Sequence, residues 1–460
     1  MKPLTSHSTA TFRDPAGSLR ISQDRVLRTV RREFAEDCLR FLRSEIAQQW
    51  IAEGRLVETR VLHEAAGEEL ELEHEPVFFP TYPWEWTPGQ WISAGELTLD
   101  FAEQQLAQGR VLKDASPLNV LFRGSSPVFV DVLSTEPRDL EDPLWLAYGQ
   151  FVRTVLLPLA AYKYLGWPLA LSLMHRDGYQ PSELYPHLSA RSRFRSPLFS
   201  QVTLPHLLER RRGSRASPRV RLRSDIALAV QRQKLRQLRK HLHALAPKFE
   251  ESNWSRYEQE ADHYTIEDRG HKRDFVEHIL ETARPQHVLD IGANTGEYSR
   301  LAAQTGAQVV SWDTDVAASE SNWRFAAANR MPILPLIADL ARPTPALGWR
   351  NAESRSLLDR ARGRFDCVLM LGVIHHLLLT DQIPIEEIAR LTAELTTRWA
   401  LVEWIPPSDV RFQELCCRRE HLYGGIDEHA FVHSFSQEFA LISRRLLGNG
   451  RILFLLRRNN

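Results

Sequence analysis

The chain has 460 residues, 58 Lys plus Arg against 58 Asp plus Glu, and 43% hydrophobic residues. That length exceeds one ordinary hydrophobic core and implies two domains, while the zero net charge removes any whole-chain electrostatic case for nucleic acid or membrane. The four cysteines, Cys38, Cys367, Cys416 and Cys417, show no C-x-x-C spacing, so neither a disulfide framework nor a thiolate metal site is expected, and a cytoplasmic location fits.

In chain order, "MKPLTSHSTATFRDPAG" lacks the apolar core of a signal peptide. Residues 24 to 53 place Val26, Val30, Phe34, Cys38, Phe41, Ile46 and Trp50 at helical spacing. "EPVFFPTYPWEWTPGQW" is too rich in proline for regular helix and reads as a packed loop, and "LTLDFAEQQLAQG" reads as a helix ending at Gly109. "FVRTVLLPLAAYKYLGWPLALSLM", residues 151 to 174, is the most membrane-like stretch. Arg153, Pro158, Lys163, Gly166 and Pro168 interrupt it, so core helices are expected and no membrane insertion.

From Arg210 to Lys240 twelve basic residues face one acid, Asp225, in a segment whose first half is broken by Gly213, Ser217 and Pro218. It reads as a basic helical linker, solvated between two domains. Nucleic-acid binding is the weaker alternative, because no aromatic side chains interleave the arginines for stacking. The expected division is residues 1–209, mostly helical, then the linker at 210–245, then a second domain at 246–460.

Beyond residue 285 the pattern alternates strand, turn and helix: "HVLDIG", "AQVVSWD", "MPILPLIADL", "FDCVLMLG" and "WALVEWI". Such alternation predicts an α/β domain with a doubly wound, mostly parallel sheet. "FALISRRLL" and "RILFLLRR", joined by "GNG", predict an antiparallel hairpin at its end and seven strands in all. After the first strand Gly292 is followed by Gly296, and Glu297 stands where a dinucleotide fingerprint needs its third glycine. A carboxylate there repels pyrophosphate, and no Gly-Lys-Ser/Thr follows to make a P-loop.

"VLDIGANTG" resembles the first motif of S-adenosylmethionine-dependent class I methyltransferases, with a Rossmann-like sheet, Asn294 standing in place of a glycine. Asn tolerates left-handed backbone angles well, so the replacement is mild. The resemblance implies a cofactor held by Asp290, Gly292, Asn294, Gly296 and Tyr298, its ribose hydroxyls by Asp313, its adenine by Asp339 and Leu340, and its sulfonium beside Leu371. Over most of its length the chain is also similar to the bacterial nodulation-protein (NoeA-like) methyltransferases, through "GVIHHLLLTDQIP", "LVEWIPPSD", "QELCCRRE" and "KDASPLNVLFRGSSPVFVDVLS". This implies methyl transfer to a hydroxyl or amine of a small-molecule or glycoconjugate acceptor. His376, His375 and Glu403 are the candidate catalytic residues, because an imidazole accepts a proton near neutral pH. Trp349, Asn351 and Glu353 are candidates for shaping an acceptor pocket.

Within that upstream stretch Asp114, Asn119 and Asp131 are spaced like the catalytic-loop Asp and Asn and the metal-binding Asp of protein kinases and aminoglycoside phosphotransferases. No glycine-rich loop or V-A-I-K lysine accompanies them. A degenerate kinase-like domain is expected, with a bifunctional kinase and methyltransferase, and an RNA methyltransferase, as alternatives. No metal site is expected.

Overall fold

A computed structural model describes residues 8–11, 13–22, 25–64, 67–211, 220–247, 265–416 and 419–459. Two compact units emerge, Met1–Arg123 with Pro127–Lys248, and Gly124–Ser126 with Phe249–Asn460. Among the described residues no helix is long and apolar enough to cross a membrane.

The first unit combines many helices with a sheet that the sequence reading did not anticipate. It carries a five-stranded antiparallel sheet of β1 (Ser8–Thr11), β2 (Gly17–Ile21), β3 (Val26–Val30), β4 (Thr59–His63) and β5 (Leu70–His74), in the order β1-β2-β3-β5-β4. Four short strands follow in the chain, β6 (Arg110–Leu112) paired with β9 (Thr135–Pro137) and β7 (Val120–Arg123) paired with β8 (Ser126–Phe129). Val26 and Val30, expected on a helix, belong to β3, because β-branched Val26, Thr29 and Val30 favour a pleated backbone and the helix starts only at Arg32. The alternation of "LELEH" buries Leu70 and Leu72 on one face of β5.

Helix Pro88–Ala107 reaches back into the stretch expected to be loop. Pro88 occupies its first position, where no backbone N–H is needed, and Thr87 and Gln90 form a reciprocal cap. Phe101 of this helix packs on Trp50 and Phe129, with ring centroids 4.7 and 4.6 Å apart. Residues 151 to 165 are core helix, as expected, closed by Gly166 in the left-handed conformation.

Helix Ser224–Leu245, from the segment expected to be a solvated linker, instead buries Ala227, Leu235, Leu238, Leu242 and Leu245 within the first unit. Leu242 lies so close to Gly95 that a Cβ there would come within 2.9 Å of it, and Arg239 pairs with Glu96, Asp100 and Glu103. Its leucines recur at helical spacing between the charges, which the count of arginines hid. Arg212, Arg215 and Arg219 lie outside the described residues, as does Cys417.

The second unit is the expected seven-stranded sheet. Its strands are β10 (His287–Ile291), β11 (Gln308–Asp313), β12 (Ile333–Ile337), β13 (Phe365–Met370), β14 (Thr396–Trp404), β15 (Phe439–Leu446) and β16 (Ile452–Arg458), in the order β12-β11-β10-β13-β14-β16-β15. The first five run parallel, and β16 is antiparallel to both neighbours, β14 and β15. Val288, Val309, Cys367, Leu369, Leu401 and Leu453 pack into one core with Val276 and Leu280 of helix Ile266–Ala283. Strands covered on both faces read as continuous apolar runs, so their ends were visible in the sequence.

Candidate functional site

The parallel strands end together along one edge of the sheet, where chain reversals from β10 and β13 leave a crevice at a topological switch point. Gly292 (φ 70°), Asn294 (φ 49°) and Gly296 (φ 88°) all have left-handed backbones. At Gly296 this combines with space: a Cβ would lie 2.1 Å from Asn322 Oδ1. At Gly292 a Cβ would lie 3.1 Å from Val373, so bare backbone is needed where the two loops approach.

Asp313, at the end of β11, ties this loop down. Its Oδ2 accepts from the Asn294 N–H and its Oδ1 from the Asp315 N–H, both at 2.8 Å. Each carboxylate oxygen retains a second lone pair, the pair needed to accept two vicinal hydroxyls. Burial raises the Asp313 carboxyl above its ordinary value, and the backbone N–H groups oppose that. Asp290 is 1% exposed and accepts from Ser299 Oγ at 2.6 Å, which joins β10 to helix Glu297–Gln304. Desolvation, with Asp313 nearby, lifts it to about 6.

That lift has a measurable consequence. An Asp protonated more readily when folded favours the fold below its unfolded value near 3.9, and this advantage is lost as pH rises through about 6. The isosteric Asp290→Asn keeps an acceptor for Ser299 without the buried charge. It is expected to raise Tm at pH 7.5, by on the order of 1–3 kcal/mol of stability, and to change nothing near pH 4. Thermal melts at the two pH values check this; equal shifts at both would refute the role of the charge.

Asp339, just beyond β12, accepts from the Ala341 N–H at 2.9 Å and pairs with Arg342 at 3.0 Å. It stays beside Asp313, because the Ala338 N–H donates to the Asp313 carbonyl at 3.0 Å. Leu340 lines a depression with Leu377 and Ile383, and Leu371 is buried in the core cluster. Tyr298, on the helix after the loop, packs against that cluster, its ring 5.2 Å from Lys272 Nζ.

His375 and His376 follow β13 on helix Ile374–Leu379, with ring centroids 4.2 Å apart. His375 is buried, its Nδ1 has no hydrogen-bond partner, and desolvation drives it down to about 2, so it is neutral at any working pH. His376 is less buried. Burial lowers it too, but the carboxylate of Asp381 works in the opposite direction.

Glu403 has charged partners that the sequence reading did not include. It is fully buried at the end of β14, where Oε2 accepts from Lys272 Nζ at 2.8 Å and Oε1 lies 3.8 Å from Arg451. Arg451 in turn pairs with Asp409 at 2.8 Å. Sequence reasoning missed Lys272, Arg451 and Asp409, because only the sheet topology brings positions so far apart in the chain together. Trp349 is 63% exposed, on a surface turn with Asn351.

In the first unit Asp114, Asn119 and Asp131 do come together. Asn119 Nδ2 donates to Ser134 Oγ at 3.0 Å, which donates to Asp131 Oδ2 at 2.5 Å. Burial and the Asp131 charge raise Asp114. Asp131 is different: burial would raise it, but Arg28 of β3, 3.0 Å from Oδ1, and the Ser134 hydroxyl hold it below the usual range. Arg28 thereby neutralises the Asp131 charge, and among the described residues no three His, Cys, Asp or Glu side chains gather to hold a metal ion.

Comparison with known proteins extends this geometry. Residues 230–406 match the methyltransferase-domain family. Nodulation protein NoeA of Rhizobium meliloti strain 1021 is 28% identical over 99% of this chain and 97% of its own length. Among solved structures, magnesium protoporphyrin IX methyltransferase (ChlM) from Synechocystis PCC 6803 with bound SAH is 18% identical, covering 42% of this chain and 84% of that one, with a TM-score of 0.31. The bifunctional kinase-methyltransferase WbdD is 19% identical, covering 44% of this chain and 41% of that one, also with a TM-score of 0.31.

An S-adenosyl group suits the residues present: bare left-handed backbone at Gly292 and Gly296, a bidentate acceptor at Asp313, and a buried Thr295 hydroxyl without a partner in the same loop. With a matching methyltransferase domain and a homologue along its whole length, the chain is an S-adenosylmethionine-dependent methyltransferase.

Proposed function

We propose that this methyltransferase acts in the cytoplasm on a hydroxyl or amine of a small-molecule or glycoconjugate acceptor. The observation that carries the cofactor assignment is Asp313, which anchors the Asn294 loop while keeping lone pairs on both oxygens for the ribose. Asp290 and the Gly292 to Gly296 backbone take the methionyl end, and Asp339 and Leu340 take the adenine. When bound, the sulfonium supplies a methyl group that leaves by in-line displacement. The protein's work is therefore to position the acceptor first and remove its proton second.

His376 is the base in this reading, because it keeps Asp381 as a charge partner, whereas neutral His375 packs its ring against it. Glu403, paired with Lys272, serves as a buried counter-charge at the end of the fifth parallel strand. Calorimetric titration with S-adenosylhomocysteine tests the cofactor site, and transfer of a labelled methyl to a cell extract, fractionated into glycoconjugate and small-molecule pools, tests the acceptor class. Label appearing only in RNA would overturn the acceptor reading in favour of an RNA methyltransferase.

The first unit we read as a kinase-like scaffold without phosphotransfer. Its support is Arg28, whose guanidinium stands against Asp131 where phosphoryl transfer would require magnesium. ATP with magnesium is expected to leave the melting temperature of the wild type unchanged. A magnesium-dependent shift that vanishes in Asp131→Ala would instead establish the bifunctional alternative.

A further inference from the structure

A one-sided apolar face lies on the first unit. Residues 199 to 211 form a helical run, Phe199–Thr203 followed by Leu204–Arg211. Gln201, Val202 and Thr203 are buried, and His206 stacks on Tyr185 with centroids 4.2 Å apart. The other side faces water. Leu204, Leu207 and Leu208, at i, i+3 and i+4, are 42, 42 and 43% exposed, and Phe199 is 43% exposed. Phe194, 76% exposed, stacks on Phe199 at 6.4 Å, and the Thr203 hydroxyl holds its turn in place by donating to the Arg193 carbonyl at 2.8 Å.

The charge around this face is mainly positive. Arg191 and Arg195 are exposed beside Phe194, and Leu204–Arg211 carries a single acid, Glu209. A nucleic acid would satisfy the arginines but gain nothing from three exposed leucines. The interface of an anionic bilayer satisfies both, with apolar chains below the headgroups and guanidinium groups among them.

We propose that this face docks the enzyme on an anionic membrane surface without spanning it. The inference does not depend on the cofactor or acceptor reading. Co-sedimentation of the full-length protein with phosphatidylcholine vesicles, with and without phosphatidylglycerol, tests it. The wild type is expected to pellet only with the anionic vesicles, and to be released on going from about 0.1 to about 0.5 M salt. Leu207→Ser with Leu208→Ser should lower the partition coefficient at least about tenfold, given the apolar area withdrawn from the lipid. Arg191→Glu with Arg195→Glu should remove the preference for anionic lipid. These side chains are exposed, so an unchanged melting temperature is expected for both variants. Absence of binding to anionic vesicles, or binding indifferent to both double substitutions, overturns the proposal. So does a solution dimer that Leu207→Ser with Leu208→Ser dissociates, which would assign the face to a second copy of the chain.

Discussion

Asp313→Ala is expected to weaken S-adenosylhomocysteine binding about a hundredfold or more, read by calorimetric titration. Two hydrogen bonds from ribose hydroxyls to an ionised acceptor are worth about 1.5–3 kcal/mol each, and both are lost together. The substitution also releases the Asn294 and Asp315 N–H groups, so the loop that lines the crevice loses its anchor. Asp313→Asn separates the two effects. One amide oxygen still accepts, but the NH2 group must face a backbone N–H, donor against donor, so an intermediate loss is expected. Unchanged affinity in Asp313→Ala, with wild-type binding intact, would remove the ribose from this aspartate.

Lys272→Met is expected to destabilise the second unit by about 3–5 kcal/mol, the usual consequence of removing one partner from a buried ion pair. Glu403 would lose its 2.8 Å cation, and Arg451, at 3.8 Å, is already engaged by Asp409, while the carboxylate remains fully buried. Removing both charges with Lys272→Met and Glu403→Leu should recover most of that loss, because no uncompensated carboxylate remains in the core. Chemical denaturation of the two variants decides the matter. If the double variant is no more stable than Lys272→Met, packing of the lysine stem, not the pairing, explains the loss.

The parts legible in the sequence are those where one short segment carries its own reason. Each parallel strand is an apolar run that ends near an acid or a glycine, so the order of motifs from Asp290 to Asp339 could be read directly. Asn294 is a similar case, because left-handed backbone tolerance belongs to the residue itself. The strands of the first unit were harder: β2 to β5 are five residues each and only partly buried, and Val26 and Val30 fit a helical spacing as readily as a pleat. Proline misled at Pro88, where it starts a helix. The Lys272, Glu403, Arg451 and Asp409 cluster was invisible for another reason, since its members meet only through strand order and no local pattern marks them. Arg28 beside Asp131 was hidden in the same way, and it changes how the kinase-like trio is read.

Strand order also constrains when the second unit can assemble. Because β16 lies between β14 and β15, residues 452–458 fill a slot bordered by strands made earlier. A nascent chain still lacking them holds β14 and β15 apart, each with an unpaired edge open to wrong neighbours. Completion of the sheet must therefore wait until the ribosome has released this segment. Stalled or truncated translation products should be caught by quality control as incomplete sheets, even though every cofactor motif has already been synthesised.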